Sequence, residues 1–131
     1  MAKVVIFGNK DMASLAHIFL KEDSPHTVVA FTVNEQYLDG NSFEGLPLLP
    51  FESIQHLFPP DEFMMFAPIY ASKMNKLRES IYNEGKSKGY SFINYISSTA
   101  VVWTKDIGDN CFILDRNVIQ PYTTIGNNIV M

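Results

Sequence analysis

Ile107-Gly108-Asp109-Asn110-Cys111-Phe112-Ile113, followed by Asn117-Val118-Ile119-Gln120-Pro121 and Ile125-Gly126-Asn127-Asn128, is the stretch whose reading decides the fold. Val101, Ile107, Ile113, Ile119 and Ile125 fall six residues apart, and Met131 takes the next step. Gly108 and Gly126 each follow one of these positions and stand eighteen apart, as do Asn110 and Asn128. One apolar residue in every six is the signature of a parallel β-helix, with three hexapeptides to a triangular coil. Two places before each aliphatic stand Thr99, Lys105, Cys111, Asn117 and Thr123. All but Lys105 are small, as crowded inward corners require, so Cys111 reads as structural rather than as a nucleophile. An antiparallel meander would repeat every two residues, not every six.

The repeat region spans fewer than two coils, whereas at least three stacked repeats are normally needed for stability. Its last coil would offer an open apolar edge to another chain. The expectation is therefore a fragment, interrupted inside a second domain that begins near residue 97.

Upstream the grammar differs. Val4-Val5-Ile6-Phe7 is a continuous apolar run, as in a strand buried on both faces of a parallel sheet. Gly8-Asn9-Lys10-Asp11 forms a turn, with Asp11 as the helix N-cap. Met12, Leu15, Ala16, Phe19 and Leu20 then make one helical stripe, which Ser24-Pro25 ends. Residues 28–33 are a second strand, completing a βαβ unit. Residues 45–50 read as a short edge strand, because Pro47 and Pro50 exclude a central position. A short helix at 51–57, a break at 59–61 and a strand at 63–67 follow. A helix from Ser72 to about Lys86 has Met74, Leu77 and Ile81 inward and Gly89 as its stop, and a last strand covers 92–96. Alternating β and α implies an α/β domain over 1–96, three-layered and Rossmann-like, with a parallel sheet.

Composition narrows the function classes. The chain has 131 residues, 47% hydrophobic, with a formal net charge of −4 and one cysteine. Scattered basic residues on an acidic chain argue against a general nucleic-acid binder. A lone cysteine cannot form an internal disulfide, and no segment approaches the roughly 18 apolar residues of a membrane span. Cytoplasm is the expected compartment.

A small α/β domain followed directly by hexapeptide repeats resembles the sugar acetyltransferases of the sialic-acid O-acetyltransferase type. These include the bacterial N-acetyltransferases of nucleotide-linked amino sugars. Besides the repeat stretches quoted above, Val4-Val5-Ile6-Phe7-Gly8, Val29-Ala30-Phe31-Thr32-Val33, Gly45-Leu46-Pro47 and Asn75-Lys76-Leu77-Arg78 carry the resemblance. It implies a left-handed β-helix, a homotrimer, acetyl-CoA as co-substrate and a sugar or nucleotide-sugar acceptor in surface-glycan synthesis. It also implies a histidine base, expected beyond Met131, so no catalytic residue is expected in this chain. His17, His26 and His56 all lie outside the repeats and read as surface or boundary residues.

What remains is the acceptor site. The loop Gly8, Asn9, Lys10 and Asp11 precedes a helix N-terminus, where free N–H groups favour an anion such as a diphosphate. The dinucleotide pattern G-x-G-x-x-G/A is met by Gly8 and Ala13 but broken by Lys10, which disfavours a nicotinamide-binding redox domain. Asn34 and Glu35 follow the second strand, where resembling enzymes carry acidic residues for the base or ribose. Asn34 replaces one of those carboxylates. Tyr70 stands where the family commonly has glycine, and either stacks on the base or fills the site. Lys73 and Arg78 lie on the following helix. The rival from another class is a non-catalytic packing or assembly module, with the acceptor site wholly in the β-helix.

Overall fold

A computed structural model describes residues 2–68, 75–114, 117–121 and 124–129. Strand β1 (Lys3–Phe7) is central, with β2 (Thr27–Val33) parallel on one side and β5 (Met64–Phe66) parallel on the other. Beyond β2 lie β4 (Leu46–Pro50), parallel, and then β3 (Ser42–Phe43), antiparallel. The order is β3-β4-β2-β1-β5.

The β1 side chains alternate between two cores. Val4 and Ile6 pack with Ala13, Ala16 and Leu20 of α1 (Asp11–Asp23), while Val5 and Phe7 pack with Phe51, Ile54 and Ile81 on the other face. Both faces are thus covered, as a continuous apolar run in a parallel sheet requires. Ser24 ends α1, its hydroxyl donating to the Leu20 carbonyl at 2.6 Å. Phe51–Ser53 forms a 3₁₀ turn leading into α2 (Ile54–Leu57). Helix α3 (Asn75–Ser87) is followed by Gly89 at φ +100°, the left-handed stop that glycine supplies. The expected helical residues 72–74, Met74 included, and the Leu77 side chain lie outside the described residues.

Four expectations are corrected. Residues 46–50 are not the sheet edge, because β3 covers them through a hairpin turn at Glu44 (φ 53°) and Gly45 (φ 78°). Two positive φ angles are what a tight two-residue hairpin needs, and the prolines of β4 fall where the ladder tolerates them. Residues 92–96 are not a full sixth strand. Phe92 makes one parallel bridge to Met65, and the chain then leaves as β6 (Tyr95–Ile96). The Asn94 amide fastens the departing chain to the turn at 108–111: its Nδ2 donates to the Gly108 carbonyl at 2.7 Å and its Oδ1 accepts from Cys111 N–H at 2.8 Å. Asp11 is not the N-cap but the first helical residue; Lys10 occupies the cap position with no side-chain capping bond. The fourth concerns the phase of the aliphatics in the segment that follows.

From β6 onward the chain returns beside itself after 17 or 18 residues. Strand β6 pairs in parallel with β8 (Phe112–Ile113), β7 (Val101–Val102) with β9 (Val118–Ile119), and Ile107 bridges Ile125. Cys111, Ile113, Ile119 and Ile125 form a small core, joined by Val102 and Ile107. Val101 is 45% exposed. Because Val102, not Val101, faces Ile119 across a 17-residue return, the inward phase slips by one residue at this point. Phe112 is fully buried and ties this region to the sheet, its ring 5.4 Å from Phe66 and 5.6 Å from Tyr95.

Candidate functional site

In an open parallel sheet, ligands bind beyond the carboxyl ends of the strands where the strand order reverses. Here that point is β1, flanked by the ends of β2 and β5. Gly8 leaves β1 at φ +136°, donates its N–H to the Thr32 carbonyl at 2.8 Å, and would bring an added Cβ within 3.1 Å of the Ala13 Cβ. Glycine is therefore required both for the turn and for the closeness of α1. Asn9 is buried, and its Nδ2 donates to the Tyr37 carbonyl at 3.2 Å and Asp39 Oδ1 at 3.3 Å. Its role is to bind the loop after β1 to the loop after β2. Lys10 and Asp11 are exposed. The Asp11 carboxylate sits in the first turn of α1, where it already answers the positive end of the helix dipole.

Asn34 and Glu35 meet a residue that the sequence reading did not single out. Glu52, just past β4, accepts the Glu35 N–H at 2.9 Å and the Asn34 Nδ2 at 3.3 Å. Burial acts to raise the Glu52 carboxyl. Hydrogen bonds from its own and the Glu35 N–H and from the Asn34 amide, with Lys88 nearby, outweigh this and hold it below its ordinary value. Glu52 thus places a carboxylate directly beside the Asn34 amide. Its place at the carboxyl end of a strand neighbouring β2 was the available signal. These three residues, with Glu84 and Ser80 of α3, line an open cleft of about 580 Å³. Among the described residues lining it, three are carboxylates and none is basic. Such a lining suits hydrogen-bond donors, such as ribose hydroxyls or base amines, and is unsuited to a diphosphate.

Tyr70 and Lys73, like the Arg78 side chain, lie outside the described residues. At the end of β5 the structure shows instead a contact 43 residues long in sequence. Asn110 Oδ1 accepts the Ala67 N–H at 2.8 Å, and its Nδ2 donates to the Ala67 carbonyl at 3.1 Å and to Asn128 Oδ1 at 2.9 Å. Beside it, Asp109 Oδ2 accepts from Lys86 Nζ at 2.8 Å and from the Tyr82 hydroxyl at 3.2 Å.

Of the remaining reactive side chains, His17 and Cys111 are packed against their neighbours. His17 stands edge-on to Phe31 at 5.5 Å, His26 is half-buried after α1, and His56 is exposed on α2. Cys111 is buried with Sγ 3.1 Å from the Gly126 carbonyl, and burial pushes its thiol up. Among the described residues no cluster of His, Cys, Asp or Glu could hold a metal, and no helix is long and apolar enough to cross a membrane.

The architecture defines a class: a mostly parallel α/β sheet followed by short parallel strands that return every 17–18 residues. Among solved structures this arrangement is shared by PerB from Caulobacter crescentus, crystallised with CoA and GDP-perosamine. The TM-score is 0.79 at 21% identity, over 99% of this chain and 59% of that one. It is shared too by the acetyltransferase domain of PglB from Neisseria gonorrhoeae FA1090, with TM-score 0.75 at 15% identity over 99% of this chain and 62% of that one. That domain also has a structure with acetyl coenzyme A. The chain therefore spans about three-fifths of these proteins. Of the expected fold, the mixed α/β domain with a mostly parallel sheet is what the structure shows. No protein-family profile and no curated protein sequence matches the chain.

Proposed function

We propose that this chain is the acceptor-binding portion of an acetyl-CoA-dependent sugar acetyltransferase, acting on an amino or hydroxyl group of a nucleotide-linked sugar in surface-glycan synthesis. The observation that carries the reading is the match in fold, over 99% of the chain, to PerB with CoA and GDP-perosamine. In this reading residues 1–96 hold the acceptor, and residues 97–131 open a left-handed β-helix of hexapeptide repeats through which a cytoplasmic homotrimer forms. The base or ribose lies at Asn34, Glu35 and Glu52, and the diphosphate lies toward Gly8, Lys10 and the start of α1. Asn9 and Asp11 shape that loop, and Tyr70 borders the nucleotide. The acetyl group comes from acetyl-CoA at the β-helix. A histidine beyond Met131 takes the proton from the acceptor, so these residues alone do not catalyse transfer. Holding acceptor and donor in one frame removes the entropy cost of their encounter, and general-base catalysis adds to it.

The test is calorimetric titration of the full-length natural protein with uridine, thymidine and guanosine diphospho-sugars. Binding of one of them, weakened at least about tenfold by Glu52→Ala, is expected. A folded protein that binds none sinks the acceptor-site reading. A second reading, a packing or assembly module, draws on one observation: Asn9 and Asn34 both spend their amide donors on the protein itself. It predicts that outcome, together with acetyl transfer to a free sugar.

A further inference from the structure

The Asn110 side chain treats Ala67 as a strand would. It accepts the N–H and returns an N–H to the carbonyl of the same residue, a two-bond pairing that continues the β5 ladder beyond Phe66. Asn110 is 2% exposed at φ 56°, so both its backbone and its amide are committed. The same turn is fixed from two other sides. Asp109 is held by Tyr82 and Lys86 of α3, and the Gly108 carbonyl and Cys111 N–H are held by Asn94. The turn at 108–111 is therefore gripped by α3, by the segment entering β6 and by the carboxyl end of β5. That last attachment is at the strand end where the sheet's ligand edge begins.

We propose that Asn110 is a positioning residue for transfer: through Ala67 it sets the distance between the acceptor edge of the sheet and the repeats. The inference rests on the acceptor-site reading above. A group that fixes the relative placement of two reactants, without touching either, acts on turnover rather than on binding. A misplacement of about 1 Å can cost about a hundredfold in rate.

The experiment compares Asn110→Asp and Asn110→Gly in the full-length natural protein. Both residues tolerate a positive φ. Aspartate keeps the shape and the acceptor for Ala67 N–H but opposes the Ala67 carbonyl and Asn128 Oδ1 with an oxygen; glycine removes all three bonds. Three readouts are taken: melting temperature, calorimetric affinity for the nucleotide sugar with kcat and KM, and hydrogen exchange at the Ala67 amide. The expected result is a folded Asn110→Asp protein with acceptor affinity and KM within about twofold of wild type and kcat lower by about tenfold to a hundredfold. In Asn110→Gly, the Ala67 amide exchanges at least about tenfold faster. An unchanged kcat in folded Asn110→Asp overturns the proposal, as does a loss confined to KM. If Asn110→Gly does not fold, Asn110→Asp decides alone. If neither variant folds, Asn110 is structural and the proposal falls. A wild-type protein that binds no nucleotide sugar removes the acceptor reading and this inference together. That outcome is distinct from an active wild type with indifferent variants.

Discussion

In the five-stranded sheet, β1 places Val4, Val5, Ile6 and Phe7 into two cores, and its stability comes from apolar area closed off on both faces. In residues 95–129 the strands are two residues long and the inward core is a single file of small and aliphatic side chains. Backbone bonds between successive returns hold that region, from Tyr95 N–H to the Cys111 carbonyl at 2.9 Å and from Val101 N–H to the Asn117 carbonyl at 2.7 Å, and side-chain amides add to them at the turns. Asn94 pairs with Gly108 and Cys111, Asn110 with Ala67 and Asn128, and Asn127 with the Asp109 N–H at 2.8 Å. The repeats lean on the sheet through Phe112 and Asn110, and Phe112 is in turn part of the sheet's own core. The contrast teaches that a parallel coil too short to bury itself can be held in place by a neighbour's polar edge.

The strongest way to break this comparison is at Phe112, which belongs to the repeats by sequence and to the sheet's core by packing. Its ring contacts Phe66, Tyr95 and Phe19, at 6.2 Å for the last. Phe112→Ala should cost about 3–5 kcal/mol in urea unfolding. The loss should appear in a single transition followed by probes in both regions. Two separated transitions would show that the regions fold independently and that the dependence argued above is wrong.

Next in size is a contrast inside the repeats. An added Cβ at Gly108 would stand 2.2 Å from Asn127 Oδ1 and 2.8 Å from the Gly126 carbonyl carbon, while at Gly126 nothing lies within 4 Å. Gly108→Ala should therefore destabilise by about 1–3 kcal/mol. Gly126→Ala should stay within about 0.5 kcal/mol of wild type. Equal effects at these two eighteen-residue equivalents would mean that close stacking of one return on the next does not hold the turn.

How far the sequence shows these differences follows from the kind of force at work. The sheet core was legible because burial on two faces demands uninterrupted apolar residues, and α1 because a one-sided helix demands a 3.6-residue stripe. Ser42 and Phe43 left no trace, since two residues carry no period, and the hairpin turn Glu44-Gly45 has glycine at only one of its two positive-φ positions. The 17-residue return at β7 escaped a strict count of six, which placed Val101 inward instead of Val102. At the candidate site, Gly8 and the Asn34-Glu35 corner follow from strand order, but Glu52 reaches that corner from another strand. Asn110 was visible as an echo of Asn128, while its bond to Ala67 spans 43 residues and leaves no local pattern.

Asp23 sharpens the comparison through pH. Its Oδ2 accepts from the Ser98 N–H at 2.8 Å and the Tyr95 hydroxyl at 2.7 Å, joining the end of α1 to the start of the repeats. The Ser98 backbone N–H first, then the Tyr95 hydroxyl, hold this carboxyl below its ordinary value. A depressed folded-state value means that the stabilisation is complete above the ordinary carboxylate range and is lost as pH falls through the folded value. Between about pH 5 and pH 3, wild type should lose melting temperature more steeply than Asp23→Asn. Parallel curves would show that this carboxylate does not help join the regions.

The smallest expected effect is at the Lys86–Asp109 pair, where both side chains are substantially exposed, at 38% and 45%. Exposed pairs are screened by water and salt, and long side chains lose freedom in forming them. The Lys86 ammonium also stands 5.4 Å from the Tyr82 ring centroid, so its stem covers apolar surface whatever its charge does. Lys86→Met keeps that cover and removes the charge. The loss should be below about 1 kcal/mol, and smaller still in molar salt. A larger loss that salt abolishes would mean that surface charge, rather than Phe112 and the buried amides, attaches the repeats to α3. A coil docked on the sheet through a buried ring and a buried amide would then give way to an electrostatically docked coil.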